Sequence, residues 1–160
     1  MEAKYFPIQI EEKWSKVWAD RELTKPESEN FFSQIIPPPN VTGTLHMGHS
    51  FQYAIMDFYT RYHHMNGTDA YWQVGTDHAG IATQMVVENN LRNEGKTKVD
   101  LGREPFVEEV WKWKDYSEGK ITSQMKRLGI TVEWDKYRFT LDDDYYQGVI
   151  QAFVELYRKE

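Results

Sequence analysis

Three consecutive prolines, Pro37, Pro38 and Pro39, follow directly on the apolar run FFSQII at 31–36. They limit the possible folds more than any other stretch of the chain. Proline has no backbone N–H, fixes φ, and pushes the residue before it toward extended backbone. Neither a helix nor an unbroken strand ladder can run through three of them, so FFSQII is predicted to be a short buried strand ending at Pro37. Beyond the prolines comes NVTGTLHMGHSF at 40–51, a loop with glycines and two histidines. From Met47 onward Phe51, Ala54, Ile55, Phe58 and Tyr62 recur every three or four residues. This spacing predicts a helix with one apolar stripe, closed by Asn66 and Gly67.

The same order then repeats. DAYWQV at 69–74 reads as a second strand, GTDHAG at 75–80 as a loop, and Ile81 to Arg92 as a helix. Strand, loop and helix in alternation predict an α/β fold with parallel strands joined by crossover helices. In such sheets ligands bind beyond the carboxyl ends of the strands, where the loops at 37–46 and 75–80 both fall. Before the first strand, Ile10, Trp14, Val17 and Trp18 give an amphipathic helix over 7–19, and KPESEN at 25–30 a polar break. After Gly95 the pattern predicts a helix from Pro105 to Arg127, an apolar piece at 130–134, and a last helix. Asp142, Asp143 and Asp144 are placed to cap that helix and complement its dipole. The expected divisions are an N-terminal helical segment at 1–30, a first nucleotide-binding half at 31–95 and a helical continuation at 96–160.

Composition narrows the partners. The net charge is −6, whereas a self-sufficient nucleic-acid-binding module usually shows a basic face. A nucleic acid would therefore meet mostly other parts of a larger protein. Lys112, Lys114, Lys120, Lys126 and Arg127 form a local basic stretch, read either as a contact patch or as a solvated helix face. The chain has no cysteine, which rules out disulfides and Cys-based zinc sites and fits the cytoplasm. No apolar run approaches the roughly 20 residues of a membrane span. The start, MEAKYFPIQIEEKW, lacks the apolar core of a signal peptide.

His46 and His49 share one face at the start of the predicted helix, where free backbone N–H groups and the dipole favour an anion such as phosphate. Gly43 allows unusual dihedrals, and Gly48 lets a flat ligand approach the helix start. The HxxH spacing alone carries little information. A zinc site from His46, His49 and His78 is a further reading, weakened by the lack of a fourth ligand and of the Glu in HExxH. Asp77 is placed either to hold an ammonium group or to cap the helix that follows.

PPPNVTGTLHMGH at 37–49 together with GTDHAGIATQ at 75–84 resembles the amino-terminal part of class I aminoacyl-tRNA synthetases, with HMGH standing for the family's "HIGH" signature. Within the family, NVTG and GTDHAGIATQ favour the valine-specific members. The resemblance extends over nearly the whole chain, including WKWKDYSEGKITSQMKRLGITVEWDKYRFT. It implies the first half of a Rossmann-like nucleotide-binding domain plus the start of the connective insertion. It also implies valine, ATP with Mg2+ and tRNA(Val) as substrates, and no protein-bound metal. His46 and His49 become catalytic; Gly43, Thr44 and Gly48 join them at ATP; and Pro38, Pro39, Asn40 and Asp77 line the amino acid. The family's KMSKS-like loop has no counterpart here, so an N-terminal fragment of a monomeric enzyme is expected, with an uncovered strand edge that favours self-association. An HxGH-type nucleotidyltransferase and a noncatalytic binding domain of the same fold are the alternatives.

Overall fold

The computed structural model describes residues 6–19 and 31–159, so KPESEN lies outside the described residues. Helix α1 (Pro7–Ala19) precedes strand β1 (Phe31–Ile35), helix α2 (Met47–Met65), strands β2 (Asp69–Gln73) and β3 (Gly75–Thr76), and helix α3 (Ile81–Asn93). A short α4 (Lys98–Leu101), the long α5 (Arg103–Leu128), a 3-10 turn (Trp134–Lys136), β4 (Arg138–Phe139) and α6 (Asp143–Lys159) complete it. No helix among these residues is long and apolar enough to cross a membrane.

β1 and β2 pair in parallel, Phe31 opposite Asp69 through Ile35 opposite Gln73, with α2 as the crossover. β3 pairs in parallel with β4. The expected parallel α/β arrangement is present, divided into two ladders because the chain changes partner at Val74. Up to Gln73 it bonds β1 on one side; from Val74, whose carbonyl accepts Arg138 N–H at 3.1 Å, it bonds β4 on the other. Gly75 permits this. A Cβ there would lie well inside van der Waals contact distance of the Arg138 carbonyl oxygen.

The prolines interrupt the first ladder without ending the alignment. Beyond them the Asp77 N–H donates to the Pro39 carbonyl at 2.9 Å and the Val41 N–H donates to the Asp77 carbonyl at 2.9 Å, forming a parallel bridge of Asn40 with Asp77. Proline lacks the donor but keeps the acceptor, so pairing resumes as soon as an N–H is available.

One sequence expectation is corrected. β1 is not a buried strand: its residues alternate, with Phe31 and Ile35 outward and Phe32 and Gln34 inward against α2. The apolar stripe of α2 also faces outward, with Phe51 70% and Phe58 65% exposed. The inward face is Tyr53, Met56, Asp57 and Thr60, again at helical spacing but of mixed polarity. Thr60 and Asp57 on this face are paired. Gln34 Nε2 donates to Thr60 Oγ1 at 2.6 Å and to the Met56 carbonyl at 2.7 Å. Asp57 accepts the Thr131 N–H at 2.7 Å and Arg61 Nε at 2.6 Å. Hydrogen bonding, which periodicity does not register, therefore selects the buried face.

The main core joins Ile36, Val41, Tyr53, Trp72 and Val74 to Ile121, Met125, Ile130, Val132 and Phe139. It thus draws on both sides of residue 95. Within it the Tyr53 hydroxyl is buried with no partner among the described residues, and burial pushes its pKa up to about 12. Tyr53→Phe is expected to raise stability by about 1 kcal/mol, because an unpaired buried hydroxyl costs its desolvation and returns nothing. Denaturant unfolding measures this. A loss of stability would mean that an ordered water occupies the site.

Candidate functional site

The two loops singled out in the sequence lie side by side, joined by the bridge of Asn40 with Asp77. Pro39 is buried at this junction, whereas Pro38, Asn40 and Thr44 are exposed. The strand ladder therefore places the start of α2 and the Asp77 carboxylate at the same end of the parallel strands.

His46 is the N-cap of α2, in extended backbone. Its Nδ1 accepts the Gly48 N–H at 3.1 Å, and Nδ1 of His49 accepts the His46 N–H at 3.2 Å. The two rings complete a capping box made of imidazoles in place of the usual Ser and Glu. Because each Nδ1 lone pair is engaged, the proton of each neutral ring sits on Nε2, which is left to donate outward. The ring centroids are 3.9 Å apart. Burial, and secondarily the neighbouring His46, lower the pKa of His49 and favour the neutral form that this cap requires. The site thus has two N–H donors on a helix start whose own amides are partly used.

The glycines serve the chain more directly than expected. A Cβ at Gly48 would lie 2.9 Å from His46 Cε1, so glycine makes room for the capping ring. Gly43 is not among the positive-φ residues, and nothing lies within 4 Å of a Cβ placed there. Unusual dihedrals are not its role; its carbonyl accepts Ser117 Oγ at 2.8 Å.

That contact belongs to a set the sequence did not reveal. Trp113 Nε1 donates to the Val41 carbonyl at 2.9 Å, Ser117 binds Gly43, and Gln124 Oε1 accepts the Leu45 N–H at 2.9 Å. Loop residues 41, 43 and 45 lie in a turn, a bend and irregular chain leading to α2, and 113, 117 and 124 share one face of α5. The loop is pinned along α5 by its backbone, and this fixes where His46 begins the helix. The periodic placement on α5 was available in the sequence; its partners, more than 70 residues away, were not. The basic stretch on the same helix is mostly paired: Lys112 with Glu109, Lys114 with Glu118, and Arg127 with Glu11.

Asp77 does not cap α3, whose N-cap Gly80 receives no side-chain bond. Its Oδ1 accepts the Ala79 N–H at 3.1 Å and the Thr140 hydroxyl at 3.1 Å. Ala79 has φ of 50°, an uncommon conformation for a residue with a side chain. Behind Asp77, the Glu118 carboxylate accepts Thr76 Oγ1 at 3.0 Å, the Tyr137 hydroxyl at 2.9 Å and Lys114 Nζ at 2.7 Å. Burial is the main reason the Tyr137 pKa is pushed up, which keeps its hydroxyl a donor. Asp142 holds the turn before α6, accepting the Phe139 N–H at 2.9 Å, while Asp143 and Asp144 occupy the first turn of that helix. His46, His49 and His78 do not come together: among the described residues no group of three or more His, Asp or Glu is arranged to hold a metal ion.

Parallel strands with a histidine-capped helix at their carboxyl end and a carboxylate on the adjoining loop form a mixed α/β fold of the class I synthetase catalytic-domain type. Residues 9–160 match the family described as tRNA synthetases class I (I, L, M and V), and the chain belongs to that family. It is 51% identical over 154 residues to the valine--tRNA ligase of Acinetobacter baylyi, a match covering 96% of this chain and 16% of that protein. Its fold matches the LeuRS chain in the crystal structure of the ternary complex of Agrobacterium radiobacter K84 agnB2 LeuRS-tRNA-LeuAMS. The TM-score is 0.73 at 21% identity, over 98% of this chain and 18% of that one. The chain spans about one-sixth of the length of the valine ligase it resembles.

Proposed function

We propose that this chain is the part of a valine--tRNA ligase that holds the phosphates of ATP and the ammonium group of valine. The observation that carries the reading is the bridge of Asn40 with Asp77, which puts the two loops next to each other. ATP, with Mg2+ as its counterion, meets Gly43, Thr44, His46, Gly48 and His49. Valine meets Pro38, Pro39, Asn40 and Asp77. The valine carboxylate attacks the α-phosphorus, forming valyl-adenylate and releasing pyrophosphate, and the acyl group then passes to tRNA(Val).

No side chain forms a covalent intermediate in this scheme. The Nε2–H groups of His46 and His49 donate to phosphate oxygens as negative charge builds on the reacting phosphorus. The Asp77 carboxylate pairs with the ammonium group and so orients the valine carboxylate for attack. Residues 31–95 act as the first half of the Rossmann-like domain, 1–30 as a leading helical segment, and 96–160 as a continuation toward an editing insertion. Most tRNA contacts belong to other parts of a monomeric, cytoplasmic enzyme.

The test is amino-acid-dependent exchange of labelled pyrophosphate into ATP. The protein is a chimera in which this chain replaces the matching segment of the Acinetobacter baylyi ligase. Valine-selective exchange over isoleucine, threonine and leucine is expected. No exchange from a folded chimera would remove the adenylation reading and leave a noncatalytic binding domain.

A further inference from the structure

Thr140 follows β4 and is anchored through its backbone: its N–H donates to the Thr76 carbonyl at 3.2 Å. Its hydroxyl oxygen lies 2.9 Å from the His78 backbone N, 2.6 Å from His78 Nδ1 and 3.1 Å from Asp77 Oδ1. A hydroxyl has one proton and two lone pairs. The carboxylate only accepts, so the proton goes to Asp77 Oδ1. The backbone N–H of His78 takes one lone pair, and the other faces Nδ1 of His78. That nitrogen must therefore carry the proton.

Each bonding direction of the Thr140 hydroxyl is then filled, and each one fixes a neighbour. Asp77 Oδ1 accepts from Thr140 and from the Ala79 N–H, and His78 Nδ1 lies 3.3 Å from it. Its other oxygen, Oδ2, accepts no hydrogen bond from the described residues. In its neutral form His78 is thereby set in the tautomer opposite to that of His46 and His49, with its proton on Nδ1 where theirs is on Nε2.

We propose that Thr140 is a positioning residue of the amino-acid site. Its hydroxyl locks the Asp77 carboxylate by Oδ1 and so reserves Oδ2 for the ammonium group. This rests on the assignment of Asp77 to that group. Thr140 is 63 residues from Asp77 in sequence, and only the parallel pairing of β3 with β4 brings the two together.

The test uses the chimera and two substitutions. Thr140→Val keeps the shape and removes the hydroxyl; Thr140→Ser keeps the hydroxyl. A hydrogen bond to a charged group predicts that T140V raises the KM for valine about tenfold. The KM for ATP should stay within about twofold, and T140S within about threefold of the unsubstituted protein for valine. Crystal structures of the unsubstituted and T140V proteins should show the Asp77 carboxylate turned away from its original rotamer in the variant. The proposal is overturned if T140V leaves the valine KM unchanged, if T140S is as impaired as T140V, or if both KM values rise together. If the unsubstituted chimera shows no valine-dependent exchange, the adenylation reading fails. The two crystal structures still decide the role of Thr140, since an unmoved Asp77 rotamer in T140V would refute it.

Discussion

His46→Asn is expected to lower valine-dependent pyrophosphate exchange about a hundredfold while leaving the melting temperature unchanged. One imidazole does two jobs at this position. Nδ1 accepts the Gly48 N–H and caps α2, and Nε2 carries the donor assigned to phosphate. The side-chain oxygen of asparagine can take over the first task, being among the best N-cap groups, but the side chain is too short to supply a donor at the place of Nε2. His46→Ala removes both, so it should lose the same activity and about 1 kcal/mol of stability as well. Exchange kinetics and thermal unfolding of the two variants separate the roles. Full activity in the asparagine variant would take phosphate contact away from His46, and an unchanged melting temperature in the alanine variant would argue against the cap.

The second large effect is expected at a residue outside the site. Gly75→Ala should cost about 3 kcal/mol or more, because the new methyl group would occupy the space of the Arg138 carbonyl. The obstruction is backbone on both sides, so neither partner can yield by changing a rotamer. Separation of β3 from β4 would also carry Thr140 away from Asp77, and valine binding should weaken beyond what the stability loss explains. Gly43→Ala is the comparison, since a Cβ there meets nothing within 4 Å and its stability should change by no more than about 0.5 kcal/mol. Urea denaturation of both variants measures the contrast. Equal stability of the two would mean that the β3 and β4 ladder does not constrain Gly75.

The parallel strands, the α2 start and the helix ends at Asn66 and Gly67 were legible because they depend on local chemistry: missing donors, capping groups and left-handed glycine. The orientation of α2 was not legible. Its hydrophobic period describes a stripe and does not say which side will be covered, and here Gln34 and Thr131 draw the mixed face of Tyr53, Met56, Asp57 and Thr60 inward. The site divides in the same way. His46, His49 and Asp77 stand out by residue type next to a strand end. Trp113, Ser117 and Gln124 each act through one hydrogen bond across 72 to 79 residues, Thr140 through contacts to His78 and Asp77 across 62 and 63, and nothing in their immediate neighbours marks them. Asp77 had two local readings; the N-cap of α3 at Gly80, with no side-chain bond, removes the capping one, and its long-range partner Thr140 was absent from any local pattern.

The pinning of the 41–45 segment along α5 has a consequence for how the protein can change. The three groups that the helix holds are two carbonyls and one amide, which every residue other than proline possesses. The side chains of Thr42 and Thr44, between the pinned positions, take no part in the fastening. Substitutions there can accumulate while the start of α2 stays in register, whereas the information that sets the register is stored in Trp113, Ser117 and Gln124. A mutational scan scored on stability would therefore find Thr42 and Thr44 permissive, and find the intolerance displaced onto one face of α5.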